Sequence, residues 1–519
     1  MNIMNNSINV YDEQADTIKV EDITTNEKNR TILRLLSTNP SEHGWTLFIQ
    51  NEHHPNDEED YTDFYHYSPE GSHDMGWLGY FIGRSESMEG GVSIGPFSLS
   101  HNIDVVEPLF RGINRNRSIE DISLRGMNLF GGQIFTMLAS FFKHNHKLTH
   151  FSIDDCNFGE DGCRLFALAI GSCTERSLEC IRMTNNDINE EDMMTIITAL
   201  SLHPQLQELD LHGNVLRKNG CVAMSTLLRC SVSQLKMLNI SNTGLVDEEI
   251  EVLVSALTKC NSLEALYIGH NALVSVRGWE SLATILEAPN STLKTLSVTN
   301  SNIGDQTAIK LASVLAKNNM LKILNMGGNP SITASHGWSA LSNILCDISS
   351  VNATFLSNHT LCVMDACIET NLGTAWFVDI AMLRCNRSLD KRRVATIKIL
   401  KHHEDFDMKP FFEWEFKVLP LVISWLERAS SYNLRYARLD LLDANIEGRK
   451  LSSIYQFVRD MPVLYVETRL MIELEDIKLE ESQMEEEEKE RSLQFQKRQR
   501  QLQDRKKSIM EKLGAGKQA

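Results

Sequence analysis

The sequence has no excess of positive charge and no apolar run of membrane-spanning length. Its 519 residues carry 69 acidic and 51 basic side chains, which gives a formal net charge of -18. Wrapping a nucleic acid requires clustered positive charge, so this balance argues against a general phosphate-binding surface. The longest apolar stretch near the C-terminus, residues 418–426, is about half as long as a bilayer crossing requires. We therefore expect neither a nucleic-acid partner nor a membrane partner.

Export signals and paired cysteines are also missing. The first twenty residues have neither a basic start nor an apolar core, so we expect no secretory signal and a cytoplasmic location. The 11 cysteines include no CxxC pair and are expected to be reduced thiols packed as small hydrophobic side chains. His53, His54 and residues 402–407 lack the further Cys or His that would close a metal site, so no metal is predicted.

Motifs of nucleotide and hydrolytic chemistry are absent as well. Residues 514–518 read GAGKQ and lack both the leading glycine and the Ser or Thr of a phosphate-binding loop. The chain contains no HExxH and no GxSxG. We therefore predict a protein that is not an enzyme and takes no cofactor, and one that differs from nucleotide-driven immune receptors.

One pattern recurs through the middle of the chain. Residues 206–216, LQELDLHGNVL, follow LxxLxLxxNxL, and the motif returns at steps of 28 to 30 residues. Its first apolar positions are Ile119, Leu148, Leu178, Leu206, Leu235, Leu263, Leu293, Leu321 and Val351. In an extended strand the fourth and sixth positions share one face. The spacing therefore predicts one short strand in each repeat, with its apolar face buried.

The ninth position of the motif is asparagine in four repeats, at Asn186, Asn214, Asn271 and Asn329. An asparagine amide both donates and accepts hydrogen bonds. Buried at the bend after a strand, it can bond backbone groups that the turning chain leaves unpaired. We expect these residues to form a structural asparagine ladder.

Each strand segment is followed by residues with helical spacing. Strands stack about 4.8 Å apart whereas packed helices need about 8–10 Å, so the stack must curve with its strands inside. The predicted fold class is α/β: a leucine-rich-repeat solenoid, or horseshoe, with parallel strands inside and helices outside. No repeat can bury its own core, so stacking supplies the stability.

The repeats resemble the leucine-rich repeats of ribonuclease-inhibitor type. The chain as a whole, from about residue 30 to 467, resembles a group of ribonuclease-inhibitor-like proteins of diatoms. The matching segments are MGWLGYFIG (75–83), LFRGINRNRSI (109–119), FLSNHTL (355–361), KRRVATIKILKHH (391–403), EWEFKVLPLVISWLERA (413–429) and LSSIYQFVRDMPVLYVE (451–467). The resemblance implies a fold and transfers no activity.

The ends of the array differ from its middle. Residues 45–51 look like a single opening strand, followed by a polar loop at 52–74. The predicted division is a disordered N-terminus (1–30), an N-terminal cap with degenerate repeats (31–116), leucine-rich repeats (117–361), a helical C-terminal cap domain (362–466) and a charged helical tail (467–519). In the tail an acidic stretch precedes a basic one. A solvated helix and a coiled coil that self-associates both fit this pattern.

The third, fifth and seventh positions of the motif should point away from the core, where repeat proteins bind their partners. Charges on these positions occur only in the first four repeats, and later repeats carry small polar or apolar side chains. The candidate partner-binding residues are Asp121, Arg125, His150, Asp154, Arg182, Glu208, Asp210, His212, Tyr267 and Phe355. Mixed charge suits a protein partner better than a polyanion. The predicted function is a non-enzymatic intracellular protein-protein interaction scaffold.

Two alternatives stay open. One is a GTPase-activating protein that resembles the Ran GTPase activators, which share long helical repeats and an acidic stretch after the array. That resemblance implies a role at a nucleotide site for an arginine such as Arg125 or Arg182, although no catalytic loop matches. The other is an adaptor that works through residues 475–519.

Overall fold

The computed structural model describes residues 11–15, 17–38, 46–50, 64–86, 90–172, 178–230, 233–365, 380–388 and 390–403. In these ranges, twelve short strands form one sheet in which every neighbouring pair is parallel. The strands lie side by side in chain order from β3 to β12, and beyond β3 come β1 and then β2 at the edge. The compact unit that contains the sheet ends at Lys398.

The strands are short, with three to five residues each. They are β1 Thr46–Ile49, β2 Phe64–Tyr67, β3 Gly91–Ile94, β4 Asp121–Arg125, β5 His150–Asp154, β6 Cys180–Thr184, β7 Glu208–Asp210, β8 Met237–Asn239, β9 Ala265–Tyr267, β10 Thr295–Ser297, β11 Ile323–Asn325 and β12 Val363–Asp365. Equivalent motif positions pair directly: Leu209 of β7 lies between Ile181 of β6 and Leu238 of β8. All three are fully buried, so the fourth motif position forms a continuous row of the core.

Helices lie between most of the strands along the chain, and most of the helices bury apolar residues in one core with the strands. They are α1 Val20–Ile23, α2 Glu27–Thr38, α3 Ser72–Arg84, α4 Ile103–Ile113, α5 Gln133–Met137, α6 Ala139–His144, α7 Gly162–Gly171, α8 Glu190–Leu200, α9 Arg217–Arg229, α10 Asp247–Leu257, α11 Val276–Ala283, α12 Asp305–Leu315, α13 Ser339–Leu345, α14 Val351–Leu356, α15 Ile380–Cys385 and α16 Lys391–His402. This arrangement of one parallel sheet with helices confirms the predicted α/β solenoid. None of the helices in the described ranges has both the length and the apolar character needed to span a bilayer.

Residues 17–38 overlap the segment 1–30 that was expected to be disordered, and they include the helices α1 and α2. The Glu70 carboxylate accepts hydrogen bonds from the Thr24 hydroxyl (2.8 Å) and the Asn26 backbone N–H (3.0 Å). Asn29 exchanges hydrogen bonds with the backbone of Ser68, at 2.7 and 3.0 Å. The apolar stripe of α2 is buried, and α2 packs beside the edge strand β2. The polar loop expected at 52–74 therefore contains a strand.

The strand of the ninth repeat does not begin where the repeat spacing predicts. Residues from Val351 to Leu356 form α14, and the strand that pairs with β11 is β12. The Asn358 side chain donates to the carbonyls of Leu315 (2.7 Å) and Asn318 (2.9 Å), and it accepts from the Leu361 N–H (2.8 Å). These bonds make buried Leu361 the first position of the ninth repeat, so an insertion precedes this repeat.

The asparagine side chains at the ninth motif position join neighbouring repeats. Asn271 is buried, and its amide donates to the carbonyls of Ile240 (3.1 Å) and Ile268 (3.0 Å). Its carbonyl oxygen accepts from the backbone N–H groups of Thr243 (3.1 Å) and Leu245 (3.2 Å) in the preceding repeat. Asn329, two repeats later, makes the equivalent bonds. The Asn186 amide donates to the Ile153 carbonyl, and its oxygen accepts from the Cys156 N–H.

A fully buried lysine lies at the C-terminal end of this unit. The Lys398 ammonium donates to the carbonyls of Leu345 (2.5 Å) and Asn358 (3.0 Å) and to Nδ1 of His359 (3.1 Å). Nε2 of His359 donates to the Phe355 carbonyl at 3.0 Å, which fits a neutral imidazole that accepts at Nδ1. Burial, and then the charge of Lys398, lower the pKa of His359 from 6.5 to about 4. The imidazole is therefore neutral at neutral pH.

This histidine makes stability depend on pH. Because the pKa of His359 is lower in the folded chain than in the unfolded one, the unfolded chain binds more protons between about pH 6.5 and 4, and acid destabilises the fold. We expect the free energy of unfolding to fall by about 1–2 kcal/mol between pH 7.5 and 5, after allowing for partial solvent screening. Urea titrations at several pH values measure this slope.

Comparison with His359→Gln and with exposed His101→Gln isolates the effect. The first variant should lose most of the slope and the second should keep it. Equal slopes for all three proteins would contradict the assignment to His359.

Residues 404–519 are outside the described ranges. The predicted tail at 467–519 and most of the predicted cap domain at 362–466 therefore stay predictions.

Candidate partner-binding face

The side chains that point away from the helices form three rows across the sheet, which we call the strand face. The first row is Asp121, His150, Cys180, Glu208, Met237, Ala265, Thr295 and Ile323. The second row is Ser123, Ser152, Arg182, Asp210, Asn239, Tyr267, Ser297 and Asn325. The third row begins with Arg125, Asp154 and Thr184 and continues past the shorter strands with His212.

Nine of the ten candidate residues predicted from the sequence lie on the strand face: Asp121, Arg125, His150, Asp154, Arg182, Glu208, Asp210, His212 and Tyr267. The tenth, Phe355, lies on α14 and is 45% exposed there. Its assignment to the strand face was wrong because the insertion before β12 shifts the ninth repeat away from the regular spacing.

Charged side chains on neighbouring strands are joined by specific bonds. Arg182 Nη2 donates to Oε2 of Glu208 at 3.3 Å, so these two charges largely compensate each other. Both side chains are partly exposed, so the pair contributes little to stability and mainly orients the two groups. Of the two arginines that a GTPase activator could use, Arg182 is therefore engaged by Glu208.

Two other carboxylates are held by neutral donors. Asp154 accepts from the Thr184 hydroxyl at 2.6 Å, and Asp210 accepts from the His212 backbone N–H at 3.0 Å. Each bond uses Oδ1, and within the described ranges no hydrogen bond reaches Oδ2 of either residue. Their negative charge is therefore positioned by the fold, and each lies opposite an arginine of the preceding strand, Asp154 opposite Arg125 and Asp210 opposite Arg182.

Desolvation raises the pKa of two side chains in the first row. The Cys180 thiol donates to Oε2 of Glu208 at 3.5 Å, and burial raises its pKa to about 12. It is therefore a protonated thiol and lacks the thiolate that a nucleophile requires. Desolvation also raises the pKa of Asp121, while the charges of His150 and Arg182 act in the opposite direction.

Over β8 to β11 the strand face changes character. The half-buried side chains of Met237, Ala265, Tyr267 and Ile323 lie there, without a charge in the first or second row. The Tyr267 hydroxyl makes no hydrogen bond to any residue that the structure describes. An aromatic ring with an available polar tip is a common contact residue at protein interfaces.

The turn after each strand adds a further row that sequence reasoning missed. The eighth motif position has a positive φ, between 50° and 72°, in eight successive repeats: Gly126, Asp155, Asn185, Gly213, Asn242, His270, Asn300 and Gly328. Gly, Asn, Asp and His are the residues that best tolerate this conformation. Their repetition at one position was the signal available in the sequence. Asp155 and His270 are exposed beside the strand face.

A family model described as "Leucine Rich repeat" matches residues 144–167 and 290–312. These matches fall on two of the strand-helix units described above. The part of the chain that the structure describes has the fold of a leucine-rich-repeat solenoid.

Curated relatives match part of this leucine-rich-repeat solenoid. It is 28% identical over 212 residues to "NACHT, LRR and PYD domains-containing protein 14" of Mus musculus, covering 41% of this chain and 21% of that protein. It is 27% identical over 190 residues to "Protein phosphatase 1 regulatory subunit 37 homolog" of Caenorhabditis elegans, covering 36% and 19%. The match spans about a fifth of the length of each relative.

A solved structure, "Crystal structure of Rad7 and Elc1 complex in yeast", aligns over 63% of this chain and 88% of its own. The identity is 11% and the TM-score is 0.29, which is too low to support an argument.

Proposed function

We propose that this leucine-rich-repeat solenoid is a non-enzymatic scaffold that binds a protein partner on the strand face. The observation that carries the proposal is the register of the face, because parallel pairing sets charged, polar and aromatic side chains in continuous rows from β4 to β9. Rigid rows of varied chemistry provide a large surface with fixed spacing, which favours recognition of another protein.

Two further findings support a binding role inside the cell. The name of the Caenorhabditis elegans relative describes a regulatory subunit, which acts by binding another protein. The cysteines in the described ranges are free, and Cys156, Cys163, Cys180 and Cys221 are buried, which favours a reducing compartment such as the cytoplasm. The repeat steps of 28 to 30 residues, nearly all with a helix, support the ribonuclease-inhibitor type.

The test uses the full-length chain with the charges of four strand-face residues reversed: Asp154, Arg182, Glu208 and Asp210. Partners are captured from native lysate after crosslinking and are compared with those of the wild-type chain. We expect at least one partner of the wild type to be lost, because reversed charges repel the surface that the original charges attracted.

The matched control reverses four exposed charges on the helix side of the array, at Glu160, Arg164, Glu191 and Glu248. It changes the net charge equally and should retain the partner. Circular dichroism and thermal unfolding verify that both variants are folded. If every partner survives the strand-face reversal, or if the helix-side variant loses the same partner, the strand face is not the binding surface.

A further inference from the structure

We propose that the partner presents an extended segment with two basic side chains over β5 to β7 and one large apolar side chain over Met237 and Tyr267. This inference rests on the proposed function of the strand face and names the chemistry of its partner. Such a segment crosses the strands, and its basic and apolar groups are separated by a fixed distance.

The first step is the sign of the charge over β4 to β7. Five acidic side chains lie on or beside the strand face there: Asp121, Asp154, Asp155, Glu208 and Asp210. Two arginines of the three rows, Arg125 and Arg182, accompany them, and Arg182 already pairs with Glu208. Although Arg125 lies opposite Asp154 and Arg182 lies opposite Asp210, five acidic side chains against two arginines leave this half of the strand face negative, so it attracts a cationic group.

The second step is the change in the sign of the charge at the second motif position between β7 and β8. The second motif position, at the start of each strand, carries Glu120 and Glu179 beside the acidic half. The same position carries Lys236, Glu264, Lys294 and Lys322 beside the other half, so its net charge there is positive. Lys294 alone of the three lysines pairs with a described carboxylate, that of Glu264 at 2.7 Å. A segment that is basic along its whole length would be repelled there, so its positive charge must be confined to one end.

The third step is the apolar contact surface. Met237 and Ala265 are paired neighbours in the first row, and Tyr267 follows Ala265 on the same face of β9. All three are partly exposed and no charged side chain of the first two rows adjoins them on β8 to β10. A Leu or Phe of the partner gains apolar burial on this surface, and the Tyr267 hydroxyl can bond its backbone.

The spacing follows from the sheet geometry. Asp154 on β5 and Tyr267 on β9 are four strands apart, which is about 19 Å at the usual strand separation. An extended chain advances about 3.3 Å per residue, so the distance corresponds to about six steps along the chain, with about five residues between the basic pair and the apolar side chain.

The test measures fluorescence anisotropy with the full-length protein and a labelled peptide that contains Arg-Arg, about five Ser, Thr or Gly residues, and Phe. The peptide is made in both chain directions. One control replaces both arginines by glutamates, and another shortens the spacer to two residues. We expect one direction to bind, and both controls to bind at least about tenfold more weakly. Binding should also weaken as salt rises.

Protein variants locate the peptide. Asp154→Asn with Asp210→Asn, and separately Tyr267→Ala, should each reduce affinity by about tenfold. Lys236→Gln with Lys322→Gln is the matched control beside the strand face and should leave affinity unchanged or slightly higher. The proposal would be overturned if the glutamate peptide bound as tightly as the arginine peptide. It would also be overturned if both the Asp154→Asn, Asp210→Asn variant and the Tyr267→Ala variant bound the peptide with full affinity.

Failure of this proposal can be distinguished from failure of the proposed function. If no peptide binds while charge reversal still abolishes capture of the native partner, the strand face is the binding surface and the chemistry assigned to its partner is wrong. If charge reversal also leaves capture intact, both ideas fail. Concentration-dependent dimerisation that is lost in the Asp154→Asn, Asp210→Asn variant would identify a second copy of the chain as the occupant and reject a basic-apolar segment.

Discussion

Replacing Asn214 by alanine should lower the free energy of unfolding of the array by roughly 3–5 kcal/mol, because several buried backbone groups lose their partner together. The Asn214 amide donates to the carbonyls of Met183 (2.6 Å) and Leu211 (3.0 Å). Its oxygen accepts from the N–H groups of Asn186 (3.1 Å) and Ile188 (3.3 Å) in the preceding repeat. Alanine makes none of these bonds, and the position is buried.

Urea denaturation followed by circular dichroism measures the change. Asn219→Ala is the matched control, since Asn219 lies on α9 of the same repeat and is exposed. That variant should stay within about 0.5 kcal/mol of the wild type. A loss below about 1 kcal/mol for Asn214→Ala would show that the ladder does not join the repeats as its bonds indicate.

The strands and the side chains that they expose could be predicted from sequence because two simple periods determine them. Within one repeat, alternation along a strand assigns Leu209 to the core and Glu208 and Asp210 to the opposite side. Between repeats, the constant step brings equivalent residues into register. Neither period depends on contacts that are distant in sequence.

The ninth repeat could not be placed by these periods because an insertion interrupts them. A second asparagine pattern in the sequence marks where the ninth repeat begins. Asn116, Asn145, Asn318 and Asn358 each lie three residues before the first apolar position, and each accepts a hydrogen bond from the backbone N–H of that residue. Reading this pattern would have assigned Leu361, and not Val351, to the ninth repeat.

Contacts between distant segments were beyond sequence reasoning. The Thr24 hydroxyl meets the carboxylate of Glu70 across 46 residues, and this bond holds a segment that composition alone suggests is disordered. The pairing of Arg182 with Glu208 likewise depends on side-chain conformations that the repeat pattern does not specify. The composition of the strand face was predictable, whereas the compensation of its charges was not.

Replacing Gly112 by alanine should destabilise the N-terminal end of the array by more than about 3 kcal/mol, because α3 and α4 cross with their backbones in contact. A Cβ atom at Gly112 would lie 2.0 Å from the carbonyl oxygen of Gly79, far inside any allowed contact. At Gly79 it would lie 2.7 Å from the Pro108 carbonyl oxygen. Since these neighbours are backbone atoms, the helices must separate, and the buried residues Trp77 and Phe110 lose packing.

Hydrogen exchange followed by mass spectrometry shows where the damage falls. Because each repeat contacts mainly its neighbours, protection should be lost over residues 64–113 and retained over residues 206–330. Gly71→Ala is the control: no atom lies within 4 Å of a Cβ built there, so protection should be unchanged in both regions. Uniform loss across the array in Gly112→Ala would mean that the solenoid unfolds as one cooperative unit, and unchanged protection would mean that α3 and α4 do not cross at these glycines.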